Sequence, residues 1–330
     1  LSNKYMKQFT NNICLIGGGD LIIYCAEKLI KNNFSVSMIL SQRHLLEFKQ
    51  NTKFKNLIKN KIKFNVTDNL NKIKNLKILI EKNSTAICFG PSWIFSDKII
   101  NYFEGRIYNV NQIPLPKYMG GAHFTWQILN QNKEGAIFLQ KIIKKLDQGP
   151  ILLSKKYKLS KNDILPEHYF NKSFYYGKFF INQIITKLKD KKNFKQTKSN
   201  KLYLNREYFP RLMTKKHAYI NWNWDAKDIL LFCNSFDSPY SGALTFHENK
   251  KISFKNVKLS NLKKYHPFAS GLVIKKIKNK VFIATKKGTL EVSKCLENNN
   301  LINQKIKQGD RFCTPSIVLD AANIFKAKYK

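Results

Sequence analysis

The stretch Tyr108-Asn109-Val110-Asn111 ends an apolar run and leads into Ile-Pro-Leu-Pro, a Gly120-Gly121 pair and an aromatic segment. Its two asparagines can donate and accept hydrogen bonds, but neither amide can hold a proton at neutral pH. Asp147, further along in Leu-Asp-Gln-Gly-Pro, adds a carboxylate. Taken singly, Asn109 reads as a turn former and Asp147 as a loop carboxylate or cap. His123, just past the glycine pair, is the nearest imidazole; it also reads as a partly buried histidine at a helix start. The other histidines (44, 168, 217, 247 and 266) fall in expected turns, helix starts or a linker. Gly17-Gly18-Gly19-Asp20 opens a second candidate, a phosphate cradle at a helix N-terminus. Ile22 stands where G-x-G-x-x-G needs its third glycine, so a tight turn that excludes Cβ atoms is the preferred reading.

These residues need elements to place them. Residues 13–16 form a short apolar run, 21–33 have helical spacing, and 34–40 are again strand-like, which is a βαβ opening. Residues 44–82 read as helix, short strand and helix. A buried strand over 84–91 runs into a proline turn, followed by a helix over 92–105 capped by Ser92 and stopped by Gly105. Further strands are expected over 106–111, 135–142 and the segment after Asp147, with a helix from His123 and a long amphipathic helix over 166–190. Alternation of this kind predicts an α/β fold with an open, mostly parallel, Rossmann-like sheet. Ligands of such sheets sit beyond the carboxyl ends of the strands, where both Asn109 and the Asp147 turn fall. From about residue 188 the chain turns polar and lysine-rich. Beyond it come one helix started by Asp225 and several short β-like runs punctuated by Gly and Asn, the pattern of a small OB-like β-barrel. The expected organisation is a first domain over 1–188, a linker over 189–214 and a C-terminal barrel over 215–330.

A chain of 330 residues accommodates two domains. No apolar run approaches the ~20 residues of a membrane span, and the polar N-terminal segment runs straight into a strand, so neither membrane insertion nor a signal peptide is expected. Six scattered cysteines without a CxxC pair read as buried, reduced thiols of a cytoplasmic protein. The net charge of +38 invites a nucleic-acid reading. The excess is mostly lysine, spread along the whole chain beside abundant Asn and Ile, as AT-rich codons would give. It implies nonspecific affinity for polyanions rather than DNA recognition.

The run NVNQIPLPKYMGGAHFTWQIL resembles the signature of folate-dependent formyltransferases, of the methionyl-tRNA and amino-sugar types. LDQGPIL is similar to that family's Leu-Asp-x-Gly-Asp-Ile-Leu turn, and FGPSWIF to the strand and turn of its folate pocket. REYFPRLMTKKHAYINW and NSFDSPYSGALTF look like its junction and C-terminal barrel, so the resemblance covers nearly the whole chain. It implies 10-formyltetrahydrofolate as co-substrate, bound near Phe89, Gly90, Pro91, Ser92 and Trp93, and no metal. It implies that the Asn109 amide stabilises a tetrahedral oxyanion, and that Asp147 orients an imidazole acting as base. The family places that histidine two residues after the asparagine; this chain has Asn111 there. Met119 and Pro150 also depart from the family's usual arginine and aspartate. His123 is the nearest substitute imidazole.

For the acceptor, the resemblance leaves three readings. SQRHLLEFKQNTKFKN lacks the long basic, glycine-containing insertion of the tRNA enzymes, and DSPYSGA is similar to the sugar enzymes, which together favour an amino sugar linked to a nucleotide. A full basic barrel keeps methionyl-tRNA as the alternative. A degenerate homologue that binds folate or a partner without catalysis is the third.

Overall fold

The structure is a computed structural model that describes residues 10–59, 62–190 and 207–327. Its first part comprises β1 (Asn12–Gly17), α1 (Asp20–Lys31), β2 (Ser35–Leu40), α2 (Gln42–Phe48), α3 (Thr52–Lys59), β3 (Lys63–Val66), β4 (Thr85–Phe89), α4 (Asp97–Tyr102) and β5 (Ile107–Asn111). Then come β6 (Met119–Gly120), α5 (His123–Leu129), β7 (Glu134–Lys141), β8 (Ile151–Lys158) and α6 (Pro166–Lys189). Seven strands form one sheet in the order β3-β2-β1-β4-β5-β7-β8. The pairs from β3 to β5 are parallel, while β7 and β8 join antiparallel.

The central strands lack a two-residue hydrophobic period because both faces are buried. Ile13 and Leu15 of β1 pack with α1 and α6 on one face, and Cys14 and Ile16 pack with Ile99 and Phe103 on the other. In β5, Tyr108 and Val110 belong to the first core and Ile107 to the second. Strand alternation therefore sets Asn109 and Asn111 on the α4 side of the sheet, at the carboxyl end of β5.

The glycine loop is a tight turn. A Cβ on Gly17 would collide with the Phe89 carbonyl oxygen, and one on Gly18 with the His44 ring. Gly18 N donates to Phe89 O at 3.0 Å, which ties the end of β1 to the end of β4.

Two expected elements differ. The helix after β4 begins at Asp97 rather than at Ser92. Trp93 Nε1 donates to Asp68 O at 2.8 Å, and the Asn71 side chain bonds both Ile94 O and Ser96 N. With Trp93 and Phe95 buried, these tertiary bonds hold 93–96 out of helical geometry, and Ser92 Oγ reaches Ser41 Oγ instead of capping a helix. The helix expected after β3 is two short 3-10 turns, Leu70–Lys72 and Leu76–Ile78. The Asn69 and Asn75 side chains each accept from the backbone two residues on, a local alternative to helix continuation.

The second part has β9 (Tyr208–Phe209), α7 (Thr214–His217), α8 (Ala226–Ser235), β10 (Ala243–His247), β11 (Lys250–Lys264), β12 (Val273–Ile277), β13 (Lys280–Ala284), β14 (Lys287–Glu297), β15 (Asn300–Leu301) and α9 (Ser316–Ile324). The order β10-β11-β14-β13-β12 is antiparallel, with β15 on β14. Phe246 bridges Cys313 and Leu272 bridges Arg311, so one short segment touches both ends of this sheet. Its core includes Trp222, Phe254 and Phe312. Most of the expected linker, 191–206, lies outside the described residues; beyond it, β9 pairs parallel with β6. Thr125 Oγ1 donates to Ser235 O at 3.1 Å, which joins α5 to α8. Five of the six free cysteines are buried and Cys313 is exposed. Among the described residues, no helix is long and apolar enough to cross a membrane.

Candidate active site

Asn109, Asn111 and Asp147 converge over the carboxyl half of β5. Asn111 is buried, and its Nδ2 donates to Asp147 Oδ1 at 3.1 Å. Gly120 N approaches Asp147 Oδ2 at 3.4 Å. Asp147 has φ of 52°, a left-handed conformation that aspartate adopts more readily than most residues. Burial raises its carboxyl above the usual aspartate range, against the opposing hydrogen bonds from Gly120 and Asn111. Asn109, Gln140, Asp147, Pro91, Trp93 and Phe95 are among the residues lining a cleft with about 440 Å³ of open space. The carboxamide oxygen of Asn109 is buried there without a hydrogen-bond partner.

Gln140 was not anticipated from the sequence. It lies opposite Asn109 in the β5–β7 register and is buried. Its Nε2 donates to Asp147 O at 3.0 Å and to Gly149 O at 2.9 Å, clamping the turn that presents the carboxylate. Gly149 fits because a Cβ there would collide with the Lys141 carbonyl. The available signal was a lone amide inside the apolar run Ala-Ile-Phe-Leu-Gln. Gln140→Leu should cost about 1–3 kcal/mol by leaving two turn carbonyls without their donor, measured by chemical denaturation. A loss under ~0.5 kcal/mol would mean other contacts hold the turn.

The other expected residues divide. Pro91 and Trp93 line the cleft. Phe89 is buried in the core with its carbonyl committed to Gly18, Gly90 has φ of 51°, and Ser92 lines a neighbouring cavity. His123 opens α5 with its ring edge-on to Phe124 at 4.6 Å between centroids, and is not among the cleft's lining residues. It retains some surface, yet desolvation of its ring pushes the imidazole down to about 4, which leaves it neutral and weakly basic at pH 7. Met119 is buried in an apolar cluster, and Pro150 gives its carbonyl to Lys141 N. Among the described residues there is no cluster suited to a metal ion.

His44 braces the site from behind. Its side chain completes a capping box with Ser41 at the start of α2. Burial, and then the Arg43 charge, push its imidazole down to about 4 against a bond to the Gly90 backbone. Folded protein therefore keeps His44 neutral while unfolded chain takes up a proton below about 6.5. The sign follows: stability present at pH 7 is lost as pH falls from about 6.5 towards 4. Glutamine also serves at this capping-box position, so His44→Gln should flatten the decline in melting temperature between pH 7 and 4.5, worth roughly 1–3 kcal/mol. An unchanged slope would assign the decline to other groups.

A family model for the formyl transferase C-terminal domain matches residues 212–306. Over 304 residues the chain is 25% identical to the methionyl-tRNA formyltransferase of Finegoldia magna, covering 89% of this chain and 94% of that protein. It is 26% identical to the bifunctional polymyxin resistance protein ArnA of Wigglesworthia glossinidia brevipalpis, over 90% of this chain and 45% of that longer protein. Among solved structures, WlaRD, a sugar 3N-formyl transferase determined with dTDP and 5-N-formyl-THF, superposes with a TM-score of 0.58 at 20% identity, covering 88% of this chain and 98% of that one. The N-formyltransferase of Helicobacter canadensis, in complex with folinic acid and dTDP-3-aminofucose, also gives 0.58, at 18% identity over 86% and 99% of the two chains. These superpositions speak to fold, while the C-terminal domain match and the near full-length sequence similarity speak to descent. Together the C-terminal domain match and the near full-length similarity support a folate-dependent formyltransferase family for this chain.

Proposed function

We propose that this protein transfers the formyl group of 10-formyltetrahydrofolate to a primary amine carried by a nucleotide-linked amino sugar. The observation that carries this reading is the Asn109 amide, set in the cleft beside Asp147 with its oxygen unpartnered. A buried amide without a partner costs stability unless a ligand completes it, and half a turn of the side chain exchanges its donor and acceptor ends.

The amine nitrogen attacks the formyl carbon, and the carbonyl electrons move onto oxygen. Asn109 Nδ2 donates to that oxyanion. The attacking nitrogen then loses a proton. Asp147 is the sole carboxylate among the cleft's lining residues, and its raised pKa makes it a better proton acceptor than an ordinary aspartate. Collapse breaks the bond from the formyl carbon to N10 of the folate, N10 takes a proton, and N-formylamine and tetrahydrofolate leave. The pterin lies against Pro91 and Trp93. His123, weakly basic and outside the cleft lining, has no assigned step.

The compact α2–α3 pair directly after β2 supports the small acceptor, because it contains no extended insertion that could follow an RNA stem. The near full-length similarity to a methionyl-tRNA formyltransferase favours the second reading, methionyl-tRNA. Both are tested by formyl transfer to a panel of nucleotide-linked amino sugars and to methionyl-tRNA, with calorimetry of 5-formyltetrahydrofolate. No heat at millimolar folate would end the folate reading. If the acceptor is small, tRNA binding should be nonspecific and should weaken about 10³-fold or more from ~50 to ~200 mM salt. Discrimination of initiator from elongator methionyl-tRNA at physiological salt would promote the tRNA reading. Folate binding without transfer to any acceptor would identify a non-catalytic homologue.

A further inference from the structure

A cavity beside the loop that follows β5 has about 970 Å³ of open space, against about 440 Å³ in the candidate active-site cleft, and the two share no lining residue. Pro114, Leu115 and Pro116 of that loop line one side, and Ala136 and Phe138 of β7 line another. Phe138 lies opposite Asn111 in the β5–β7 register, and directly opposed residues share a sheet face. The cavity therefore continues along the face that carries the two amides. Lys117 reaches it from the loop, and Lys156 and Lys158 from β8, where they stand opposite Ala136 and Glu134.

Several polar groups of the lining are already engaged. Asn132 Nδ2 donates to Glu134 O at 2.9 Å and to Gln127 Oε1 at 3.2 Å, and Asn132 Oδ1 accepts from Glu134 N at 3.4 Å. Tyr118 stacks on Phe209 with 5.0 Å between ring centroids, and Tyr157 on Tyr176 with 4.6 Å. Lys117, Lys156, Lys158 and Glu134 are exposed, and none of their charged groups has a hydrogen-bond or ion-pair partner among the described residues. Three cations against one carboxylate leave a positive rim over an apolar floor. Lys156 and Lys158 are about 6.6 Å apart along the strand, so their flexible stems can bring both ammonium groups to one anion. β8 is an edge strand, and lysines along an exposed edge oppose the addition of another strand, which favours a small molecule over a peptide. The lining holds no guanidinium fork, the usual phosphate partner, and Glu134 opposes a multiply charged group.

We infer that this cavity binds a small apolar acid, a hydrocarbon ring or chain bearing one carboxylate, with Leu115, Ala136 and Phe138 against its body and the three lysines at its anionic end. The site goes beyond the function proposed above, since it holds neither the formyl donor nor the acceptor. Its wall is the loop that leads to Gly120, whose N–H approaches Asp147 Oδ2. A bound acid therefore rests against the segment that supports the carboxylate of the candidate active site.

The test is calorimetric titration with naphthoate and with decanoate, each beside its uncharged alcohol, naphthalenemethanol or decanol. The proteins are wild type, the double variant Lys156→Gln, Lys158→Gln, and Ala136→Leu. At least one acid should bind wild type saturably and about tenfold or more tighter than its alcohol; naphthoate alone identifies a ring, decanoate alone a chain. The double variant, altered only at exposed positions, should lose that preference and keep its affinity for the alcohol. Ala136→Leu fills the floor and should weaken acid and alcohol alike. Equal affinity of acid and alcohol for wild type, or no saturable binding of either acid, would overturn the site. Competition between the acid and 5-formyltetrahydrofolate would place the acid in the folate cleft and also overturn it. If the acid binds and folate does not, the proposed function fails while this site stands. A dimer in sedimentation velocity that the lysine variant converts to monomer would assign the surface to a second copy of the chain instead.

Discussion

Asn111→His is expected to raise the rate of formyl transfer by about 10²–10⁴-fold, the usual contribution of a well-placed general base. The position is prepared for it. Asn111 Nδ2 already donates to Asp147 Oδ1 at 3.1 Å, so an imidazole on the same Cα can direct one ring nitrogen at that carboxylate and present the other to the cleft. Asp147 would then stabilise the imidazolium instead of accepting the proton itself. The pH profile separates the two states. In wild type the acid limb should lie above the ordinary aspartate range, because burial raises Asp147 and the carboxylate must be ionised to act. In the variant a new limb should enter in the histidine range. A fast wild type slowed by the substitution would mean that the site had been rebuilt around the second amide.

Asn109→Ala should lower transfer by at least about 10²-fold, the scale seen when an oxyanion donor is removed. The loss should fall on kcat and leave folate affinity nearly intact, since this amide is assigned to the transition state and Pro91 and Trp93 to the pterin. Stability should hold or rise slightly: the wild-type amide oxygen is buried without a partner, and its removal ends that cost. Retained activity with weakened folate binding would recast Asn109 as a ground-state contact.

The sheet was legible because its causes are local. Apolar runs of strand length, separated by helical periods, announce β1, α1, β2, β4 and β5, and the Gly17–Gly18 turn is required where β1 meets Phe89. Asp225 was readable as the start of α8, where it takes the extended N-cap backbone although its side chain makes no capping bond. The segment 92–96 misled because its conformation is set by Asp68 and Asn71, which lie more than twenty residues away.

By itself, the sequence determined that two amides end a central strand of a Rossmann-like sheet and that a small β domain follows, and it carried the resemblance in which Asn111 stands where a histidine is expected. Only the tertiary structure decided that Asn111 reaches Asp147, that Gln140 clamps its turn, that His123 lies outside the cleft lining, and that Lys117, Lys156 and Lys158 share a cavity. The physical reason is strand order. β7 runs antiparallel beside β5, so Gln140 falls opposite Asn109, and the turn after β7 starts beside the amino end of β5 and reaches back to Asn111 through Asp147. Periodicity along the chain encodes which face a residue takes, whereas which strand lies beside it is settled by packing summed over the whole sheet.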